Sequence, residues 1–373
     1  MGQALVKAVL RSSCDGWDGV RASILEYAYI GARIRGKKAS LLTRQDYARF
    51  LVGNLESLYK LLQETPYGEE ISKISPSDFN SSTFESVAKK ISLETFNDIL
   101  DDSPPSQREI ISQMLKKFET SNIKTLLRSK FANMGTGEAL RYIAPAETFD
   151  AQRCKTLYEA AESVEDLISS LSDSEYGTIL ADSMRERPPR EGTIQLESAL
   201  DRYVYTGLWS SANRLKGVAK KIARELFGSE VDISNMKTIS RCMSLGLSAP
   251  ETMRNLIPIY FNLTRSIVER VASSTDVEES LESLAVRPYE EVITSSLRDY
   301  RSSRSLATFE TSLDRFLLGL NEKLLLRHPS SFHLGLALIF LNLKWNELRN
   351  LRTLVKGVEE GLAPDKIQAF LII

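Results

Sequence analysis

Cysteine, histidine, glycine and proline are all scarce in this chain, and each shortage removes a class of explanation. Its 373 residues hold 3 cysteines and 2 histidines. Cys14, Cys154 and Cys242 stand far apart with no C-x-x-C, so neither a zinc knuckle nor a thioredoxin-like motif is present, and three reduced thiols are expected. The 19 glycines and 12 prolines are about 8% of the chain, against about 12% in average usage. A loop-rich all-β chain needs more of both, and long helices need less. Charge of either sign in excess is also missing. The 48 Lys and Arg face 49 Asp and Glu, a net of −1, so no long-range field draws nucleic acid. The longest apolar run, Leu334 to Leu341, falls far short of the ~20 residues that a spanning helix needs. The opening MGQALVKAVL has no secretory apolar segment, and Val6 stands where a myristoylation signal needs a hydroxyl side chain. Membrane association is therefore expected only through a partner.

What the chain does have is an internal repeat. Three signatures each occur three times, in the same order. The first is a helical stretch ending on a tyrosine, at Tyr67, Tyr176 and Tyr289, spaced by 109 and 113 residues. The second is LETFNDIL, LESALDRY and FETSLDRF, which aligns Asp98, Asp201 and Asp314. The third is ETSNIKTLLR, DISNMKTISR and ELRNLRTLVK, with Asn122, Asn235 and Asn350 at its centre. Its skeleton is acid, two residues, Asn, aliphatic, base, Thr, aliphatic, any residue, base. Five residues after the last base stand Asn133, Gly246 and Gly361, each opening a turn.

A period near 113 implies an all-α chain of three similar helical-bundle domains, with boundaries expected at 1–146, 147–260 and 261–373. Such units can stack as a solenoid or close as a pseudo-threefold ring, and both satisfy the sequence. The third signature reads as a helix with its acid near the start and its bases later, as the helix dipole prefers. Asn133 and the two glycines stop it, reinforced by Pro250 and Pro364. The polar, proline-paired stretches DDSPPSQ and RERPPREG read as surface loops.

Chemistry-bearing motifs fare poorly. The segment from Gly31 to Lys37 has P-loop spacing. Lys38 follows where the magnesium-binding hydroxyl belongs, and EYAYIGARIR reads as continuous helix. Gly135 and Gly137 lack a third glycine and a βαβ setting. His328 and His333 are separated by the helix breaker Pro329, a poor start for a metal site. No G-x-S-x-G is present. No catalytic, cofactor-binding or metal-binding residue is assigned.

The repeated residues read first as structure. Asp98, Asp201 and Asp314 are expected to cap helices or to form buried ion pairs. Asn122, Asn235 and Asn350 read as hydrogen-bonded packing points, and the three tyrosines as amphipathic wedges between helices. The bases Lys124 and Arg128, Lys237 and Arg241, Arg352 and Lys356 are i, i+4 pairs. A solvated face or intrahelical ion pairs is the plain reading. Their threefold recurrence also makes them candidates for contact with a partner.

YAYIGARIRGKKASLLTRQDY, from Tyr27 to Tyr47, the thrice-used N-[IML]-[KR]-T helix and the closing WNELRNLRTLVKGVEEGLAPDKIQAFLII together resemble the C subunit of the V/A-type rotary ATPases, the archaeal form by length. Its eukaryotic counterpart is the d subunit of the vacuolar ATPase. The resemblance spans nearly the whole chain. It implies a funnel of three helical domains around a pseudo-threefold axis. It also implies a non-catalytic, single-copy component, monomeric when isolated, on the cytoplasmic face of the membrane. Such a component is a socket that sits on the membrane rotor ring, receives the tip of the central shaft and passes torque between them. No cofactor comes with the resemblance. A generic helical-repeat scaffold remains the alternative, although such repeats usually run to ~20–50 residues. An all-α enzyme would need a cluster of titratable groups, and only the segment around His328 and His333 offers one.

Overall fold

The computed structural model describes residues 30–140, 143, 148–186, 192–274, 276–303, 305–330 and 333–373. Val6, Cys14, positions 26–29 of EYAYIGARIR and positions 187–191 of RERPPREG lie outside the described residues. Six helices are long: α1 Ser81–Asp102, α2 Pro105–Phe131, α3 Ile194–Arg214, α4 Gly217–Ser244, α5 Leu306–Arg327 and α6 Gly335–Glu359. Shorter helices fill the space between them, and among the described residues there is no strand.

Local chemistry sets the ends of these helices. Asn80 accepts the Thr83 N–H, and the Thr83 hydroxyl answers the Asn80 N–H, so α1 starts with two otherwise orphaned donors satisfied. Pro105 opens α2, where its missing N–H costs nothing. The long helices α2, α4 and α6 stop in one way. Asn133, Gly246 and Gly361 turn left-handed, with φ of 52, 69 and 66°. The next amides, of Met134, Leu247 and Leu362, then reach back to the carbonyls of Ser129, Cys242 and Gly357 at 2.9, 3.0 and 2.9 Å. Glycine suits that backbone without strain, and asparagine is the usual substitute.

The six long helices form a closed circuit. α1 packs on α2, α2 on α3, α3 on α4, α4 on α5, α5 on α6, and α6 returns to α1. A solenoid would leave its first and last units apart. All six contribute to one central core, among them Phe96 from α1, Phe118 from α2, Leu208 from α3, Leu226 from α4, Leu324 from α5 and Leu341 from α6. A helix over 30–39 adds Ile30 and Ile34.

Three outer cores surround this centre. Phe84 packs in one with Leu351 and Leu371, Leu200 in the next with Ile123 and Leu126, and Leu313 in the third with Ile233 and Met236. Each long helix thus serves two cores. Along α2, Ile110, Met114 and Phe118 face the centre, while Ile123, Leu126 and Leu127 belong to an outer core. The second outer core draws on residues 123–200 and the third on residues 233–313, so each takes residues from two successive repeats. The first outer core joins residues 47–88 to residues 348–371, the two ends of the described chain.

Candidate functional site

The three signatures meet in three clasps: two join the helix of one repeat to segments that follow it, and the third joins the last long helix to Tyr67 and Glu85, which precede it, and to Ile372. The acid of the third signature receives a tyrosine hydroxyl from the first. Tyr176 donates to Glu119 at 2.5 Å, Tyr289 to Asp232 at 2.8 Å and Tyr67 to Glu347 at 2.5 Å. Burial, and then the neighbouring carboxylate, push all three phenols well above their ordinary range, so they remain donors. The asparagine grips a backbone segment. The side-chain amide of Asn122 donates to the Phe149 carbonyl at 2.7 Å. Asn235 donates to the Ile257 carbonyl and accepts its N–H, at 3.0 and 2.9 Å. Asn350 does the same to Ile372, at 2.7 and 2.9 Å. These asparagines are fully buried, and each satisfies backbone groups that helices cannot pair.

The repeated bases are held by acids of the same chain. Lys124 meets Asp201 and Lys237 meets Asp314, each at 2.6 Å. Arg128 meets Glu197 and Arg241 meets Glu310, the Nε atoms at 2.8 and 2.6 Å. In the third clasp Arg352 meets Glu85. Lys356 turns instead to Glu359 and Glu360 of its own helix, at 3.0 and 3.5 Å. The reason is that Ser81 occupies the place held elsewhere by Glu197 and Glu310. Lys124, Lys237 and Arg352 keep no more than a fifth of their side-chain surface. A cation so placed needs its counter-ion. Five of the six bases thus bond helix to helix, and Lys356 bonds within its own helix.

Asp98 does not share the place of Asp201 and Asp314. It is held by Arg33 at 3.1 Å and Lys37 at 2.8 Å, both on the helix over 30–39. Glu85 takes the position equivalent to Asp201 and Asp314. The spacing carried the warning: Asp98 precedes Asp201 by 103 residues and Glu85 by 116, against a period near 113.

The acids of the clasps differ in their electrostatics. Burial pushes Glu197 up, but the hydrogen bond and charge of Arg128, with the Thr193 hydroxyl, bring it below its ordinary value. For Glu85 burial outweighs Arg352, and the carboxyl is raised. Burial also raises Asp232, against the amides of Asn262, Phe261 and Leu263 and the Tyr289 hydroxyl.

At the centre the repeat breaks. Two residues before the clasp acids stand Lys117, Glu230 and Trp345. Lys117 pairs with Glu230 at 2.5 Å, and the Asn342 amide completes that carboxylate at 2.8 Å. Trp345 stacks on Phe118, with centroids 3.7 Å apart and planes at 20°. A cation, an anion and an aromatic in equivalent positions give a unique central arrangement. None of the three signatures includes these residues, although reading two places back from each acid exposes them.

The remaining motifs are structural in place. Residues from Gly31 to Lys37 lie within the helix over 30–39, not in a phosphate-binding loop. Gly135 precedes the short helix Thr136–Ala139. His328 and His333 have ring centroids 6.4 Å apart, and burial lowers the His333 pKa. Among the described residues no group of three His, Cys, Asp or Glu is placed to hold a metal. Cys154 is buried, its thiol pushed up to about 12, first by burial and then by Asp150. That is the setting of an inert cysteine.

This geometry defines a class: a closed helical frame whose repeated polar residues tie helix to helix. Residues 30–370 match the model of the ATP synthase (C/AC39) subunit family. The chain is 29% identical to the C subunit of the A-type ATP synthase of Methanocaldococcus jannaschii, covering 93% of this chain and 86% of that protein. It is 27% identical to the corresponding protein of Halorubrum lacusprofundi, over 92% of this chain and 97% of that one. The counterpart from Pyrococcus abyssi is likewise 27% identical, over 92% and 89%. The chain belongs to the ATP synthase (C/AC39) subunit family.

Proposed function

We propose that this chain is a non-catalytic subunit of an A-type rotary ATP synthase, a socket between the membrane rotor ring and the central shaft. The observation that carries the reading is the closed circuit of six helices, in a chain that matches the family from 30 to 370. A part that passes torque must resist shear. A ring of helices resists it better than an open stack, because every unit is braced on both sides. The three clasps cross-link successive repeats of the chain, and dense apolar packing stiffens the modules they form. Three similar modules about an axis suit a funnel, with one end open to a shaft and the other resting on a ring of hairpins. Among the described residues no helix is long and apolar enough to cross a membrane, which suits a peripheral subunit on the cytoplasmic face.

The test is removal and return. Synthase membranes stripped of this subunit should keep soluble ATP hydrolysis and lose ATP-driven ion pumping. Adding the purified chain should restore pumping. Pumping that survives its complete removal would sink the socket reading, and a chain that binds neither ring nor shaft would return it to the class of generic helical scaffold.

A further inference from the structure

One junction between modules carries a charge pattern that the other two lack. The cleft between the first half of α4 and the last half of α5 has a volume of about 1020 Å³. Its lining includes Lys220, Lys221, Arg224, Arg287, Lys323 and Arg327, against one carboxylate, Glu225. Three of these cations are engaged. Lys220 donates to the Asn213 carbonyl at 2.8 Å, Arg224 lies 4.8 Å from the Trp209 ring centroid, and Arg327 meets Glu225 at 2.5 Å. Lys221, Arg287 and Lys323 have no hydrogen bond or ion pair among the described residues. The repeat shows that the fold does not require them. Where α4 has Lys220, Lys221 and Arg224, α2 has Gln107, Arg108 and Ile111, and α6 has Gly335, Leu336 and Ile339. Where α5 has Lys323, α3 has Ser210 and α1 has Glu94. Uncompensated like charges weaken a fold, so their concentration here points outward, to an anion that the chain itself does not supply.

The apolar part of the cleft narrows the choice. Phe261, Pro288, Phe316 and Leu320 line it beside the cations. Val218 and Leu326, on the same helix halves, are 40% and 81% exposed. A phosphate chain or a nucleic acid backbone has no use for that apolar surface. Arginine and aromatic side chains side by side are the composition of a protein interface. We propose that this cleft docks an acidic amphipathic segment of a partner polypeptide. Its apolar side meets Phe261, Phe316 and Leu320, and its carboxylates meet Lys221, Arg287 and Lys323.

The test uses the full chain and a defined probe, a fluorescein-labelled peptide of leucine and glutamate patterned as an amphipathic helix of about four turns. An isomer of the same composition with the pattern scrambled, and tripolyphosphate as competitor, serve as controls. The patterned peptide should bind more tightly than its isomer and weaken as salt is raised. The triple variant Lys221→Glu, Arg287→Glu, Lys323→Glu should bind it at least about tenfold more weakly. Its thermal unfolding should match that of the native chain, since these three side chains have no internal partners. Should that variant fail to fold, the triple glutamine variant makes the same comparison. Unchanged binding by either folded variant overturns the proposal. So does an isomer that binds as tightly, or full displacement by tripolyphosphate at equal charge, because the cleft would then be a general polyanion site. The assay needs no other synthase component, so its result and that of the stripped membranes are independent.

Discussion

Two of the three clasps join segments close in sequence, and the third joins segments far apart in it. Tyr176 lies 57 residues from Glu119 and Tyr289 lies 57 from Asp232, whereas Tyr67 lies 280 from Glu347. On loop-closure scaling the long closure costs about 1.4 kcal/mol more than a short one. The long clasp is correspondingly reinforced. Lys344 donates to the Tyr67 hydroxyl at 2.7 Å and to Glu347 at 2.8 Å, and the Leu42 amide donates to the second oxygen of Glu347. A charge-assisted bond contributes roughly 1.5–3 kcal/mol, enough to offset that difference. The comparison teaches that the unit of this fold is a spatial module, one of which is assembled from residues 47–88 and 348–371, far apart in sequence.

The largest effect should come from breaking that assembly. Leu371 is buried in the first outer core, Ile372 is buried beside α6, and Asn350 grips Ile372. Removing residues 371–373 exposes that core. It forfeits roughly 1.5–3 kcal/mol for each buried aliphatic side chain and leaves Asn350 unsatisfied. A loss of about 5 kcal/mol is expected. Hydrogen exchange should show residues 47–88 losing protection while residues 151–200 keep theirs. If protection falls equally in both regions, the modules are not separable and the comparison fails.

Next in size are the asparagines. Asn235→Ala and Asn350→Ala should each cost about 2 kcal/mol in urea unfolding, because buried backbone groups lose their partners. Equal costs would show that the discontinuous module is as tightly locked as a continuous one. A much smaller cost at Asn350 would make the closing clasp secondary.

The sequence displayed the asparagines, tyrosines and helix stops because their side chains must do one specific job in every module. The all-helical class followed from the same repeats and from the shortage of glycine and proline. What the sequence hid is the offset between repeat and module. A period defines the length of a unit, but any phase of it fits the same pattern, and only packing reveals where the chain joins the cycle. The second signature was misaligned for a related reason. LETFNDIL resembles LESALDRY, yet Phe84 fills the outer core beside Glu85 as Leu200 does beside Asp201, while Phe96 lies in the central core. The basic cleft escaped notice because Lys220, Arg287 and Lys323 are far apart in sequence.

That register can be tested by a smaller pair of effects. Glu85 is the partner of Arg352, whose side chain is only 12% exposed, so Glu85→Ala should cost roughly 1–3 kcal/mol by stranding a buried cation. Asp98 is 39% exposed, and Asp98→Ala should cost under about 1 kcal/mol. A larger loss at Asp98, by thermal unfolding, would restore the alignment that the structure rejects.

The smallest effect is a difference in slope with pH. Both Glu85 and Glu197 face an arginine across a clasp, but they sit on opposite sides of the ordinary carboxylate value. For Glu197 the folded value is lowered, so its stabilisation is complete above the unfolded value of about 4.3 and is lost as pH falls through the folded one. For Glu85 the folded value is raised. Its contribution is present below about 4.3 and is lost as pH rises through the folded value. The stability advantage of the native chain over Glu197→Gln should therefore grow between about pH 3 and 5. Its advantage over Glu85→Gln should shrink from about pH 4 upward. A single proton limits either slope to about 1.4 kcal/mol per pH unit. Urea titrations of the three proteins across that range read the signs directly. Slopes of the same sign would mean that Arg352 holds Glu85 as strongly as Arg128 holds Glu197, and that the closing clasp carries no electrostatic penalty of its own.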